Sequence, residues 1–385
     1  MTIIDQSSPG ATAIHGQDSR VVVSLELSAK AWLVTSLSPG SAKFSKRWVN
    51  GGDSAALLAL LRDLVAKAAR RVGGPVGVVS IQEAGLDGFW LHRVLVAAGI
   101  ASHVVDAASI PVPRRKRRAK SDRLDGESLV RALLAWLRGE RRACSMVRPP
   151  SIEAEDRRRL SRERDTLVRQ RIRESNRIRG LLASQGVTGF EPLRRDRRAR
   201  LAELVTGDGR KLPPRLAAEL GRLIDRLELV LGQIAEVEAA CKRELADAEG
   251  RDPAALLPQL RSLSQDSVAV LAFEGFWRGF ANRRQLAAFA GLAPTPWQSG
   301  QVKREQGIGS AGNPRLRKTM VQLAWLWRRH QPGSALSRWF EQRVGTHKGR
   351  LRRIAVIALA RKLLVALWRY VTQGIIPEGA VLKSA

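Results

Sequence analysis

Cysteine, tyrosine and acidic residues are all scarce in this 385-residue chain, which carries 2 Cys, 1 Tyr and 36 Asp plus Glu against 66 Lys plus Arg. Cys144 and Cys241 stand far apart without metal-ligand spacing, which argues against a disulfide scaffold or a thiolate zinc site. They read as reduced, apolar fillers of a cytosolic protein. None of the 5 His has a neighbour that points to a metal or a triad, so imidazole chemistry is not supported. No apolar run approaches the ~20 residues of a membrane-spanning helix. Met1–Gln17 lacks the basic-then-apolar layout of a signal peptide, which argues against export and for a cytoplasmic location. No P-loop occurs, so no nucleotide cofactor is expected.

What the chain has in excess is positive charge. A formal +30 lies far beyond the needs of solubility, and makes a polyanion the natural partner. Arg outnumbers Lys, which favours forked contacts to phosphate. An anionic membrane surface is the competing partner.

Three parts can be told apart. Residues 19–148 alternate strand-like and helix-like segments: strands over Arg20–Leu27, Ala31–Ser36 and Phe44–Val49, a helix over Asp53–Arg71, a strand over Val76–Ile81, a helix over Asp87–Ala98 and a strand over His103–Val105. A further apolar-periodic run follows Lys120, through Leu124, Leu129, Val130, Leu133, Leu134 and Leu137. This βββαβαβα order matches an RNase H-like α/β sheet. Pro149-Pro150 breaks the chain. Residues 151–248 form a basic helical region whose first helix, from Ile152 to about Gln185, is rich in Arg and expected to turn one face to nucleic acid. After a Gly/Pro/Arg-rich excursion over 186–214, its second helix carries Leu220, Leu223, Leu227, Val230, Ile234, Val237 and Cys241 at coiled-coil spacing. That seam closes either within the chain as a hairpin or between subunits. Residues 254–372 read as a compact, mostly α domain with a polar loop from Trp297 to Pro314. A disordered N-terminus (1–18) and a tail (373–385) complete the chain.

The most informative stretch is Lys-Ser-Asp-Arg-Leu-Asp-Gly-Glu at 120–127. Asp122 and Asp125 stand three apart at a helix start, on one face and within reach of a shared cation. Arg114, Arg115, Lys116, Arg117 and Arg118 lie just upstream, a strip suited to phosphates. Alone, two such acids serve more often to complement the helix dipole. Two further acids change the balance. Glu26 lies in the apolar strand Val-Val-Val-Ser-Leu-Glu-Leu, where a buried carboxylate is costly unless paired or cation-bound; alternation sets it beside Val22 and Ser24, on a face that is either solvent or site. Glu83 follows Val76–Ile81 at a strand-to-helix corner, where α/β sites gather, or else helps cap a helix. All four converge at one end of an RNase H-like sheet. Ser299-Gly300 is a turn pair in a basic loop; as a nucleophile, Ser299 would draw on Lys303, Arg304, Arg315 and Lys318 to stabilise a pentacovalent phosphate.

Taken together, the motifs Ser-Leu-Glu-Leu-Ser (24–28), Ile-Gln-Glu-Ala-Gly (81–85), Ala-Lys-Ser-Asp-Arg-Leu-Asp-Gly (119–126), Gln-Leu-Ala-Ala-Phe-Ala-Gly-Leu-Ala-Pro (285–294), Gln-Ser-Gly (298–300) and Ala-Gly-Asn-Pro-Arg-Leu-Arg (311–317) resemble one family. It is that of the IS110-type insertion-sequence transposases, with an N-terminal DEDD, RuvC-like domain and a C-terminal serine domain, related to Piv DNA invertases. The likeness runs from about residue 20 to 372. It implies catalytic and metal-binding roles for Glu26, Glu83, Asp122 and Asp125, with Glu26 standing where the family usually has Asp. It also implies Ser299 as nucleophile, Mg²⁺ or Mn²⁺ at the acids, and nucleic-acid contacts from Arg114–Arg118, Lys120, Lys303, Arg304, Arg315, Arg317 and Lys318. The implied partners are target and donor DNA, an element-encoded bridge RNA, and further copies of the chain in a dimer to tetramer. Two other classes stay open: a RuvC-like metal-dependent nuclease or junction resolvase with Ser299 merely structural, and a degenerate, non-catalytic nucleic-acid-binding protein.

Overall fold

The computed structural model describes the backbone of residues 19–85, 88–110, 122–250, 252–299, 302–309 and 312–383, and their side chains except at 108, 122–125, 295–299 and 302–306. The chain divides into two compact units at Pro149/Pro150.

The first unit contains β1 (Arg20–Glu26), β2 (Ala31–Leu37), β3 (Ser45–Asn50), α1 (Ser54–Val72), β4 (Gly77–Glu83), α2 (Trp90–Ala97), β5 (Ala101–Val105), α3 (Asp122–Leu137) and β6 (Met146–Val147). The sheet order is β3-β2-β1-β4-β5-β6, with β1, β4 and β5 parallel and the remaining pairs antiparallel. This is the expected βββαβαβα order with one addition: β6 was too short, at two residues, to leave a sequence signature. Strand β1 reads as an apolar run because both faces are covered. Val21, Val23 and Leu25 pack with Leu57, Leu61, Leu91 and Leu95 of α1 and α2. On the opposite face Val22 joins Val79, Ile81, Val105, Leu129, Val130 and Leu133, which is the α3 side. Helix α1 starts where Asp53 Oδ1 accepts from Ala56 N at 2.8 Å, a cap whose loss costs about 1 kcal/mol. The predicted helix over Asp87–Ala98 begins at Trp90; Leu86 and Asp87 lie outside the described residues.

The second unit opens with α4 (Ile152–Ala183), α5 (Arg197–Ala202) and α6 (Pro214–Ala246). The seven seam residues of α6 are all buried. Leu220, Leu223 and Leu227 pack with Ile178 and Leu182, and Val230, Ile234 and Val237 with Leu167. Contacts therefore run antiparallel and the seam closes within the chain as a helical hairpin. None of those seven positions is left for a second subunit. There follow α7 (Pro253–Leu256), α8 (Gln265–Ala269), a π-helical turn (Val270–Phe276), α9 (Arg283–Phe289), β7 (Pro294–Ser299), β8 (Val302–Ile308), α10 (Pro314–His330), α11 (Ala335–Val344) and α12 (Arg350–Gln373). Their common core includes Met320, Trp327, Phe340, Leu359, Leu363 and Leu367. The end of the chain is bonded into this unit: Arg261 N donates to Val381 O at 3.1 Å, and Lys383 N to Gln259 O at 2.7 Å.

One expectation is corrected here. The polar loop read over 297–314 is in large part a β-ribbon, β7 pairing antiparallel with β8 from Pro294–Ile308 to Ser299–Val302. Its pairing rests on the backbone ladder, and segments such as Val-Lys-Arg-Glu-Gln carry too little apolar alternation to announce a strand.

Candidate active site

Sheet register decides where the first two acids go. The β1/β4 ladder ends at Leu25 with Gln82, so Glu26 and Glu83 come next on neighbouring strands. Alternation places both on the α3 face, with Val22 and Ser24 on β1 and Val79 and Ile81 on β4. Glu26 is half-buried and Glu83 exposed. Helix α3 begins at Asp122 and carries Asp125 in its first turn. Two contacts dock that turn on the sheet, and a glycine lets it sit close. Ser24 Oγ donates to Gly126 O at 2.8 Å, and Lys46 Nζ meets Glu127 Oε1 at 2.5 Å. A Cβ placed on Gly126 would stand 2.6 Å from Glu26 Oε1 and 2.5 Å from Thr35 Oγ1. The chain positions of Glu26, Glu83, Asp122 and Asp125 thus meet at one edge of one sheet face.

This donor set consists of hard carboxylate oxygens, which suits Mg²⁺ or Mn²⁺ over softer metals. The close seat of Gly126 against Glu26 brings the acid-bearing turn to the strand, so the residues fit such an ion. Among the described residues no group of three or more His, Cys, Asp and Glu is gathered to hold a metal; the side chains of Asp122 and Asp125 lie outside that set.

Ser299 belongs to the other unit. It is the last residue of β7, paired with Val302 at the far end of the ribbon, with Lys303 and Arg304 next on β8. Gly300 lies outside the described residues, as do Arg114–Arg118 and Lys120. The root of the ribbon is tightly fixed. Gly312 has φ +92°, and a Cβ there would stand 2.5 Å from Gly291 N and 2.7 Å from Ala288 O. Asn313 N donates to Phe289 O at 2.7 Å, while Asn313 Oδ1 caps α10 through Arg315 N and Leu316 N. Asn313 Nδ2 also faces Glu274 Oε2 at 3.4 Å. Glu274, almost wholly buried in the π-helical turn, accepts both arms of the Arg162 guanidinium at 2.6 and 2.9 Å. A π-turn is rare and often marks a functional place. The sequence signal for Glu274 is a lone acid inside Val-Leu-Ala-Phe-Glu-Gly-Phe, and only the fold shows its partners.

Of the expected phosphate contacts, Arg315, Arg317 and Lys318 lie on the first turns of α10. Arg315 Nε and Lys318 Nζ approach Asp165 at 3.7 and 3.5 Å. They line a groove of about 780 Å³ with Arg164, Arg169 and Trp325. Much of the charge on α4 is answered within the chain: Arg157 by Glu244 and Asp252, Arg164 by Glu238 and Asp266, Arg177 by Glu219 and Arg179 by Glu191. The nucleic-acid face expected of this helix is correspondingly narrower. Cys144 and Cys241 are both buried and free; burial pushes the Cys241 thiol up to about 11, which keeps it protonated and inert. No helix among the described residues is long and apolar enough to cross a membrane.

Two family models match the chain: a transposase model of the DEDD, IS110 type over residues 28–185, and the transposase IS116/IS110/IS902 family over residues 259–338. A protein of Sinorhizobium fredii named "Putative transposase y4rJ" is 56% identical over 396 aligned positions, covering 100% of both chains. The transposase for insertion sequence element IS1328 of Yersinia enterocolitica is 26% identical, covering 66% of this chain and 72% of its own. That for element IS1111A of Coxiella burnetii is 27% identical, covering 77% and 78%.

Proposed function

We propose, from the premise that the chain belongs to the IS116/IS110/IS902 family of transposases, that it exchanges DNA strands through a covalent 5′-phosphoserine link at Ser299. Membership implies DNA cleavage and transposition, and the DEDD match implies dependence on a divalent metal. The observation that supports metal-assisted strand cutting is the meeting of β1, β4 and the first turn of α3 at one sheet edge, each bearing an acid; the serine assignment rests on the family likeness.

Glu26, Glu83, Asp122 and Asp125 would hold Mg²⁺ or Mn²⁺. When bound, the ion polarises a phosphoryl oxygen and offsets charge developing on it. The Ser299 oxygen attacks phosphorus; the Ser–O–P bond forms as the P–O3′ bond breaks, and the serine proton ends on the departing 3′ oxygen. Attack by a 3′ hydroxyl of the partner strand reverses these bonds, so the phosphodiester energy is conserved and no ATP is consumed. Lys303, Arg304, Arg315, Arg317 and Lys318 stabilise the crowded, anionic phosphorus. Arg114–Arg118 and Lys120 grip backbones without reading sequence. Sequence choice is delegated to pairing with an element-encoded bridge RNA, and the working form is a dimer to tetramer of this chain that uses a surface other than the filled α6 seam.

The test starts with the full chain purified from cells carrying its whole element. Sequencing the co-purifying RNA should yield one discrete species encoded beside the gene, and a smear of cellular RNA would remove the guide from the reading. With that RNA and labelled DNA, a denaturing gel should show a covalent adduct that Ser299→Ala abolishes. Asp125→Ala should cut the adduct about 100-fold or more without moving the melting temperature. An adduct that survives Ser299→Ala overturns the serine assignment. A second reading, a RuvC-like nuclease or junction resolvase, is favoured by one fact: all four acids lie in a unit that does not contain Ser299. It predicts free cleavage intact in Ser299→Ala and lost in Asp122→Ala.

A further inference from the structure

We infer that Gly126 is a positioning residue matched to Glu26, setting how closely the Asp122–Asp125 turn sits to the first-strand acid. The inference rests on the metal-site reading of the four acids. Three side chains of the sheet face converge on this glycine. Ser24 Oγ holds its carbonyl at 2.8 Å. Glu26 Oε1 and Thr35 Oγ1 would stand 2.6 and 2.5 Å from any Cβ at 126, with Thr35 Cβ at 3.1 Å. Ser24 and Thr35 are directly paired across β1 and β2, and both are fully buried. Together the three make a seat in which the backbone of α3 at Gly126 rests directly on the sheet face.

The two close neighbours differ in how they would yield. Thr35 is β-branched and enclosed, so its rotamer is stiff. Glu26 ends in a mobile carboxylate, and swinging it aside is the cheap way to admit a methyl group. An alanine at 126 must also ease away from Thr35, a cost to the fold, while on the Glu26 side what moves is the proposed ligand, a cost to the site. Shortening the acid by one methylene should give the methyl group room on that side, and let the carboxylate return toward the ion. Gly126 and Glu26 behave as a pair in which the size of one limits the size of the other.

The full-length protein, without nucleic acid, is titrated with Mn²⁺ and free Mn²⁺ is followed by electron paramagnetic resonance. Gly126→Ala should keep the wild-type circular dichroism and melt a few degrees below it, the cost of the Thr35 contact, while binding Mn²⁺ about 10-fold more weakly or worse. Glu26→Asp alone sets a reference, and Gly126→Ala with Glu26→Asp should bind within about 3-fold of that reference, well inside the loss seen on Glu26. A purely structural glycine would not show metal affinity rescued by shortening an acid. If Gly126→Ala fails to fold, Thr35→Ala is added to clear the stiffer neighbour, and affinity is compared with Thr35→Ala alone; a 10-fold loss still supports the pairing and none overturns it. Wild-type affinity in a folded Gly126→Ala overturns the inference and leaves the metal reading standing. No Mn²⁺ uptake by the wild type overturns the metal reading, and the inference falls with it.

Discussion

In the first unit the tight contact lies at the proposed metal site, where Gly126 meets Glu26, Thr35 and Ser24. In the second it lies at the root of a ribbon, at Gly291, Gly312 and Asn313, and Ser299 stands at the ribbon's far end. Acids that share one ion must hold their spacing to a fraction of an ångström, and regular elements packed on both faces of a sheet provide that. A nucleophile, the role proposed for Ser299, is better carried on an arm whose base is fixed.

The contrast can be broken at several points. The largest stability effect is expected of Gly312→Ala. The new Cβ meets backbone atoms rather than a mobile side chain, and at φ +92° an alanine is strained besides. A loss of about 2–4 kcal/mol is expected in urea unfolding of the second unit. A cost no larger than that of Gly126→Ala would show that the two glycines do not differ in kind. Next comes Glu274→Gln, which keeps the shape but removes the charge facing Arg162. Because Arg162 is half exposed, the loss should be about 1–2 kcal/mol by the same measurement; no change would remove Glu274 from the ribbon's root.

The smallest effect is on pH. Burial holds the His103 imidazole below its ordinary value, helped by the charges of His92, Arg141 and Arg20. Burial and Arg93 do the same to His92. A histidine whose folded value is lowered stabilises the fold above its unfolded value near 6.5, and that contribution is lost as pH falls through 6.5 toward the folded value. The melting temperature of the first unit should therefore drop between pH 7 and pH 5, and His103→Leu should flatten part of that slope. An unchanged slope would show that His103 is not titrating in a buried place.

Much of this was legible in the sequence because it was local. The β-branched and apolar runs over Arg20–Leu27 and Val76–Ile81 gave the strands, and the 3–4 spacing of α6 gave its buried face. Glu26 and the two aspartates stood out through context: an acid inside an apolar strand, and acids opening an apolar helix. The rest is tertiary. Residues 35 and 126 touch although 91 positions apart, and nothing in either neighbourhood announces it. The arginines of α4 looked free for phosphate because most of their carboxylate partners lie on α6 and beyond, and one, Glu191, in the excursion between the helices. The ribbon that carries Ser299 is too polar to read as strands, and β6 is too short.

Strand β6 has a consequence for how the first unit is made. Met146 and Val147 pair with Val105 and Val104, and Asp106 N donates to Ser145 O at 3.0 Å, so the strand that covers β5 comes after the acid-bearing helix. As the chain leaves the ribosome, the outer edge of β5 stays open until residue 147 has emerged. For that interval Val104 and Val105 lack the partner that β6 gives them, the kind of open edge on which growing chains collect one another.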